Sequence, residues 1–443
     1  MSKNYRVVFE CYESKSDETL SRSILADGSI DMPTDIFSFG FSHEEQIKLI
    51  KASQNELLNE QSSLLSNATD YCPHCPEIKL TKQGKRHSFY HDVFSDHEII
   101  IGRKRCKVCK YEPRSTVSAL VGDCMSADLK RIQSELGASH SYRESEELFS
   151  KFSRQPRPIN NHDRIKNVTE QVGATLNDLH HDESEVASIA PAKELIINVD
   201  GGHINTTEKG KRSFEAMTAV IYKPESLISD GDRNRLTSKN CAASSKSDNQ
   251  QQMINNTIVA ALKQGLSPDT KVTALCDGAN NCWQIVDALA PISGEIVSIL
   301  DWFHLGMKIQ NISLPESLKL KLIKIKWHLW RGNCERAIKR ITELEALCTD
   351  KSLTKLKQLK NYIINNEAKI VDYRKRKNDG LVFTSNLAES TVESLINQRC
   401  KGQQHMRWSR EGLDPVLQLR AAISSKDWDD LWKTAIRNSI KTH

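Results

Sequence analysis

Residues 194–202, Glu-Leu-Ile-Ile-Asn-Val-Asp-Gly-Gly, constrain the fold more than any other stretch of the chain. Leu195, Ile196, Ile197 and Val199 form a short, nearly unbroken apolar run closed by Gly201 and Gly202, the pattern of a strand buried on both faces. Asp200 is then expected at the strand's exit. A second run, Lys-Val-Thr-Ala-Leu-Cys-Asp-Gly-Ala-Asn-Asn at 271–281, repeats the arrangement with Asp277 and leads into a helix around Trp283. One aspartate before glycine is ordinary turn chemistry. Two of them leaving separate core strands, with a third acid on a later helix, offer hard oxygen ligands to divalent cations. The third acid is sought on a later helix, where Ala388, Val392, Leu395 and Ile396 make one apolar face bordered by Glu389 and Glu393, and either glutamate could reach the cluster on geometry alone.

A chain of 443 residues is long enough for two or three domains with at least one sizeable core. Twelve cysteines are too few for a disulfide framework, and four of them fall in two C-x-x-C pairs, Cys72/Cys75 and Cys106/Cys109, about thirty residues apart. That spacing brings two knuckles onto one tetrahedral zinc, with a hairpin between them. Four thiolates leave zinc no open position, so its role is structural; the rival reading is a redox pair or four free thiols. His87, His91 and His97 read as hairpin residues rather than ligands.

Taken in order, residues 1–70 give a short β-like segment (Tyr-Arg-Val-Val-Phe-Glu-Cys-Tyr-Glu), a polar stretch, and a helix behind Ser42 as N-cap. The zinc ribbon occupies 71–124. Residues 125–187 pattern as about three polar helices broken at Gly137 and at Pro156–Pro158, a layout that suits a helix-turn-helix; its last helix offers Arg164 and Lys166, beside His162 and Asn167, to a DNA groove. Generic helical packing reads the segment equally well. The core then runs over 190–305, with residues 225–250 read as a solvated polar loop. Residues 306–383, helical and lysine-rich with Trp327 and Trp330 on periodic faces, are too long for a connection and read as an all-α insertion. Residues 384–443 return to the core. A net charge of +5 permits a nucleic-acid partner without requiring one. No apolar run reaches the roughly 20 residues of a membrane span, and the N-terminal sequence lacks a signal-peptide core, so no membrane partner is expected.

The succession of strand with Asp200, β-hairpin, strand with Asp277 and helix, strand, helical insertion, and helix with Glu393 resembles the RNase-H-like core of DDE transposases from bacterial insertion sequences, in the broad Mutator-like group. The resemblance covers most of residues 70–425. It is carried by VDGG at Asp200, CDGANN at Asp277, D-W-F-H ending in His304, and V-E-S-x-x-x-Q-R-x-K-x-x-x-x-M-x-W-S from Val392 to Ser409, followed by LQLRAA. It implies a multi-domain α/β protein in which a zinc ribbon and a helical region recognise DNA upstream of the catalytic core. It implies two Mg2+ (or Mn2+) ions held by Asp200, Asp277 and Glu393, with Glu389 as substitute. His304 would act beside the scissile phosphate, or simply pack or cap after its strand, and Asp301 could replace Asp277 as ligand. Arg399, Lys401, Arg407 and Trp408 would contact DNA phosphates or bases, with Trp408 as a core residue the rival reading. The implied partners are the element's terminal repeats and target DNA, bound by a homodimer or higher oligomer in the bacterial cytoplasm at the nucleoid. A non-catalytic zinc-ribbon DNA binder, or an RNase-H-like nuclease without transfer activity, are the alternatives.

Overall fold

The computed structural model describes residues 3–113, 124–179, 189–230, 233–385, 391, 393–401 and 406–441. They divide into two units, Met1–Val172 with Trp432–His443, and Gly173–Leu431. The chain is mixed α/β, and among the described residues no helix is long and apolar enough to cross a membrane.

The first unit opens on more β structure than its sequence predicts. Strand β1 (Lys3–Tyr12) pairs antiparallel with β2 (Thr19–Ile30). The second strand, rich in serine with an internal Asp-Gly, lacks the apolar alternation that would have marked it, and residues 1–70 are therefore a hairpin followed by a helix. Helix α1 (His43–Asn67) begins as expected: Ser42 Oγ accepts from the Glu45 amide and the Glu45 carboxylate returns to the Ser42 amide. Its far end is closed by Lys104, whose buried ammonium donates to the carbonyls of Leu65 and Ala68 and to Asp70 at 2.6 Å. Lys104 lies on β4 (Asp96–Arg105), which pairs antiparallel with β3 (Thr81–His91) to form the hairpin predicted between the two cysteine pairs.

Three helices follow, α2 (Ala127–Ser139), α3 (Tyr142–Ser153) and α4 (His162–Leu179), the last capped by Asn161, whose Oδ1 accepts from the Arg164 amide at 2.8 Å. Gly137 does not break a helix; it lies inside α2 at a close helix crossing. A Cβ there would fall 2.1 Å from Thr169 Oγ1 and 3.3 Å from Ile165 Cγ2, both on α4. Gly137→Ala, harmless to helix propensity, is expected to lower stability by about 1–3 kcal/mol through overpacking, seen as a lower thermal midpoint; an unchanged or raised midpoint would refute the close crossing.

Arg157, buried at 4% exposure, joins this helical region to the ribbon hairpin. Its guanidinium donates to the carbonyls of Asp92, Val93 and Ser95 and to the Asp96 carboxylate, at 2.6 Å from Nη2 to Oδ1. Burial alone would raise the Asp96 carboxyl, but hydrogen bonds from His91 and Arg157 hold it well below the usual carboxylate range. Truncating Arg157 to Ala strands that acid and three carbonyls and is expected to cost about 3 kcal/mol. Because the folded carboxyl is depressed, the stabilisation is present above the unfolded value near pH 4 and is lost as pH falls below it. Thermal melts at pH 7 and pH 3 should therefore show a large wild-type-to-variant gap at pH 7 and a smaller one at pH 3; equal gaps would count against the pair.

In the second unit a five-stranded mixed sheet has the order β11-β10-β5-β6-β9. Strand β5 (Glu194–Asn205) is central, antiparallel to β6 (Ser213–Tyr222), which is antiparallel to β9 (Asn240–Ser244). On the other side β5 is parallel to β10 (Lys271–Cys276), itself parallel to β11 (Ile296–Leu300). The sequence misses β9 altogether. Its Asn-Cys-Ala-Ala-Ser carries no β-branched residue, yet all five are buried, and the hairpin of β7 (Leu227–Asp230) and β8 (Arg233–Leu236) also lies in the stretch read as a solvated loop. Small residues suit β9 because α5 (Gln251–Lys263) and α12 (Arg410–Ser425) pack close to it: Asn256 and Gln418 both donate to the Ala243 carbonyl, and Ser425 Oγ accepts from the Cys241 amide.

Alternation along β5 divides the core. Leu195, Ile197 and Val199 face α5 and α6 (Asn280–Asp287) through Met253, Ala261, Trp283 and Val286. Ile196 and Ile204 face the opposite layer, built from α7 (Trp302–Gln310), α8 (Glu316–Trp330), α9 (Cys334–Glu345), α10 (Asp350–Asn365), α11 (Tyr373–Asn378) and α12. Helices α8 to α10, in the stretch read as an all-α insertion, contribute Ile325, Leu329, Ile341, Leu356 and Ile363 to the core; α13 (Trp428–Lys441) is the last helix described.

Candidate functional site

The strand register assembles the acids. Cys276, the last residue of β10, pairs with Val199 on one side and with Leu300 on the other. The next residues, Asp200, Asp277 and Asp301, therefore follow at the same level across three neighbouring parallel strands, where β10 and β11 end and open α/β sheets bind ligands. One expectation changes. Asp200 is not at a strand exit, since β5 continues through Gly201 and Gly202 to Asn205; it sits where its parallel neighbour stops. The glycines serve close approach rather than a turn. A Cβ at Gly202 would lie 3.1 Å from Ile396 Cδ1 and 3.4 Å from Lys401 Nζ, so the segment that carries Glu393 packs directly on β5, two residues beyond Asp200.

Each aspartate has a different environment. Asp200 is half-buried, and its Oδ1 accepts from the Gly201 amide at 2.8 Å. Desolvation raises its carboxyl pKa, His304 and the Gly201 amide oppose that, and Asp277 and Asp301 add to it as like charges. Asp277, Asp301 and His304 are thus all within electrostatic reach of Asp200. Asp277 Oδ1 accepts from the Ala279 amide at 2.9 Å, and the Asp277 carbonyl accepts from the Tyr362 hydroxyl of α10. Asp301 is fully buried and caps α7: it accepts from the amides of Phe303 and His304 and from both the amide and the hydroxyl of Ser385. With both oxygens engaged, its geometry suits a structural cap better than replacement of Asp277 as a ligand. His304, partly exposed, has Nε2 3.7 Å from Asp301 Oδ2. Tyr362 gave no local signal in the sequence, because it reaches Asp277 from a distant element, and Ser385, read there as a possible helix N-cap, donates to Asp301.

Residues 393–397 form a π-helix, the local departure from α-helix that often accompanies functional sites. Arg420 of α12 donates to the carbonyls of Ser394 and Leu395 and fixes this turn. Glu389 and the side chain of Glu393 lie outside the described residues. Asp200, Asp277 and Asp301 do not bring three ligand atoms within 4.8 Å of one another. Two ions 3.5–4 Å apart spread their ligand oxygens over about 8 Å, so a two-ion site does not require that closeness. The donor set, hard carboxylate oxygens with the Asp200 carboxyl raised first by burial and then by its acidic neighbours, is of the kind that divalent cations of the magnesium class take.

Among the described residues, one group of three or more His, Cys, Asp or Glu does meet the 4.8 Å limit: Cys72, Cys75, Cys106 and Cys109. This cluster could hold a structural zinc. Cys72 and Cys109 Sγ are 3.4 Å apart, far beyond a disulfide and near the roughly 3.8 Å edge of a tetrahedron with 2.3 Å zinc–sulfur bonds. The amides of Cys109 and Val108 point at Cys106 and lower its thiol to about 7. Burial raises Cys72 against the matching amides of His74 and Cys75. Cys75, crowded first by Cys109, is pushed up to about 12. Four sulfurs gathered this closely suit a cation at their centre. The hairpin histidines are engaged elsewhere, as expected: His87 with Glu98, His91 with Asp96, and His97 with Asp92 and Asn55.

The residues assigned to DNA divide by exposure. Arg164, Lys166, Lys401 and Arg407 are exposed. Trp408 and Arg399 are not, at 7% and 2% exposure. Trp408 bridges to β5 by donating its amide to the Asn205 carbonyl, and the Arg399 guanidinium lies over its ring at 4.8 Å. For Trp408 this burial fits the core reading, with the aromatic of the motif holding the last segment against β5. A scan against protein-family models gives no match, and a search of curated proteins gives none.

Proposed function

We propose that the chain is a DDE-type DNA transposase with an RNase-H-like core, in which Asp200, Asp277 and Glu393 hold a pair of divalent cations. The observation that carries this reading is the register that aligns Asp200 and Asp277 on adjacent parallel strands, with the Glu393 segment packed against Gly202. The sheet order supports the RNase-H-like core: β5, β6 and β9 form an antiparallel meander, and β10 and β11 extend β5 in parallel. A bound cation pair would supply activation of the attacking hydroxyl and stabilisation of the leaving oxygen. The protein's part is orientation. Asp200 lies between the two parallel strands and the Glu393 segment, His304 sets a positive charge against it when protonated, and Lys401 offers an ammonium to a phosphate beside Gly202. In cleavage, water adds to phosphorus and the 3′-oxygen leaves as a hydroxyl. In transfer, that 3′-hydroxyl displaces a second phosphodiester oxygen, one P–O bond forming as another breaks.

The exposed Arg164 and Lys166 of α4 and the zinc ribbon are proposed to recognise the terminal repeats, and a dimer or higher oligomer to join two ends. The test is purified protein with Mg2+ and a labelled duplex carrying the element's end. Cleavage followed by joining of a pre-cut 3′-hydroxyl end to a target plasmid is the expected outcome. Cleavage without joining would mark a nuclease, and binding without either would leave a DNA-binding protein only.

A further inference from the structure

Helix α8 (Glu316–Trp330) is apolar on two opposite sides. Leu318, Leu322, Ile325 and Leu329 face the core. Leu320, Ile323 and Trp327, spaced three and four residues apart on the other side, are 69%, 49% and 54% exposed. The sequence placed Trp327 with Trp330 on packing faces, but only Trp330 packs, 4.7 Å from Trp302, the residue after Asp301. A helix with one apolar face covered and a second one bare presents a surface built to meet something.

Charge narrows what that is. Between Gly306 and Val382 there are eighteen lysines and arginines against eight acids, a net +10 in a chain whose total is +5, so the remainder carries a net negative charge. Lys321 and Lys324 are exposed on one flank of the stripe, and Lys326 stands half-exposed on the other. At the end of the helix, burial and then the charges of Arg336, Arg340 and Arg331 hold His328 below its usual pKa, which marks how densely cations gather there. A second copy of this chain would bring the same excess of positive charge to the contact and be repelled. A duplex offers phosphates to the lysines but no apolar partner to the ridge. A single strand offers both, phosphates along its backbone and unpaired bases with open faces.

We propose that α8 is a binding face for single-stranded DNA, with phosphates on Lys321, Lys324 and Lys326 and bases resting on Ile323 and Trp327. This needs no metal and does not depend on the acids being catalytic. It assigns the insertion a second role besides covering the sheet, since Trp327 and Trp330 sit one turn apart on a helix whose end is anchored beside Asp301.

The test is fluorescence anisotropy of the full-length protein with a labelled 20-nucleotide single strand and the corresponding duplex, in a salt series without divalent cations. Trp327→Ala, an exposed change that should leave the thermal midpoint unaltered, is expected to weaken single-strand binding by about 5- to 150-fold, the range of one lost base stack, with little change for the duplex. Lys321→Gln with Lys324→Gln should reduce the slope of log affinity against log salt by about 1.4 for the single strand. Unchanged single-strand affinity and slope in both variants would overturn the proposal. So would a change of oligomeric state in Trp327→Ala with DNA affinity intact, which would mark a protein interface. Because these readouts use no cleavage, a failed cleavage assay would leave them standing, and the converse holds.

Discussion

Asp200→Asn is expected to reduce Mg2+-dependent strand cleavage by at least about a thousandfold, some 4 kcal/mol of transition-state stabilisation, while DNA affinity and fold are retained. The amide keeps the size of the carboxylate and an oxygen for the Gly201 amide, so the main loss is a charged ligand. Fold and chemistry can be separated at this position. In the metal-free protein Asp200 is a partly desolvated carboxylate beside two others, so neutralising it should leave the thermal midpoint unchanged or raise it. Asp301 gives the opposite pattern. Its carboxylate is fully buried and engaged by four donors, so Asp301→Ala should destabilise the second unit by about 3 kcal/mol or more, whatever happens to catalysis. A kinetic series with both variants, read against their melts, distinguishes a ligand from a cap. Persistent Mg2+-dependent cleavage by Asp200→Asn at the wild-type rate would falsify the catalytic assignment outright.

Loss of metal from the four cysteines is the second large effect. Protein purified without chelator should carry one zinc per chain by elemental analysis, and Cys106→Ser should carry none. Zinc binding contributes on the order of 10–16 kcal/mol in small zinc-dependent folds, more than the β3–β4 hairpin can supply from the few apolar side chains packed around Ile99 and Ile101. Chelation should therefore melt the ribbon, seen as new protease cleavage between residues 72 and 109, and the Gly173–Leu431 unit should keep its own thermal transition. Wild-type protein without zinc and a protease pattern unaffected by Cys106→Ser would show the thiols to be bystanders.

Several of these features were legible along the chain for physical reasons. The run Leu195–Val199 reads as a buried strand because four of its five residues are large and apolar, and the C-x-x-C pairs are expected to converge because a tetrahedral zinc takes four ligands, two from each knuckle. Ser42 with Glu45 announced a helix start because both capping bonds are local. Where packing decides, local chemistry was silent or misleading. Strand β9 is made of small residues that only close neighbours explain, Gly137 reads as a break until α4 is seen crossing it, and Trp408 reads as a stacking surface until β5 covers it.

By itself the sequence determined strands β5, β10 and β11, the hairpin between the cysteine pairs and the helices that follow β11, because periodicity, capping and ligand spacing are properties of neighbouring residues. Only the tertiary structure decided which acids meet. Register across three strands, two of them more than seventy residues apart, sets Asp200, Asp277 and Asp301 at one level, and the hydrogen bonds each then receives separate Asp200 from a helix cap at Asp301. Those are pairings across the sheet, and no local pattern encodes them.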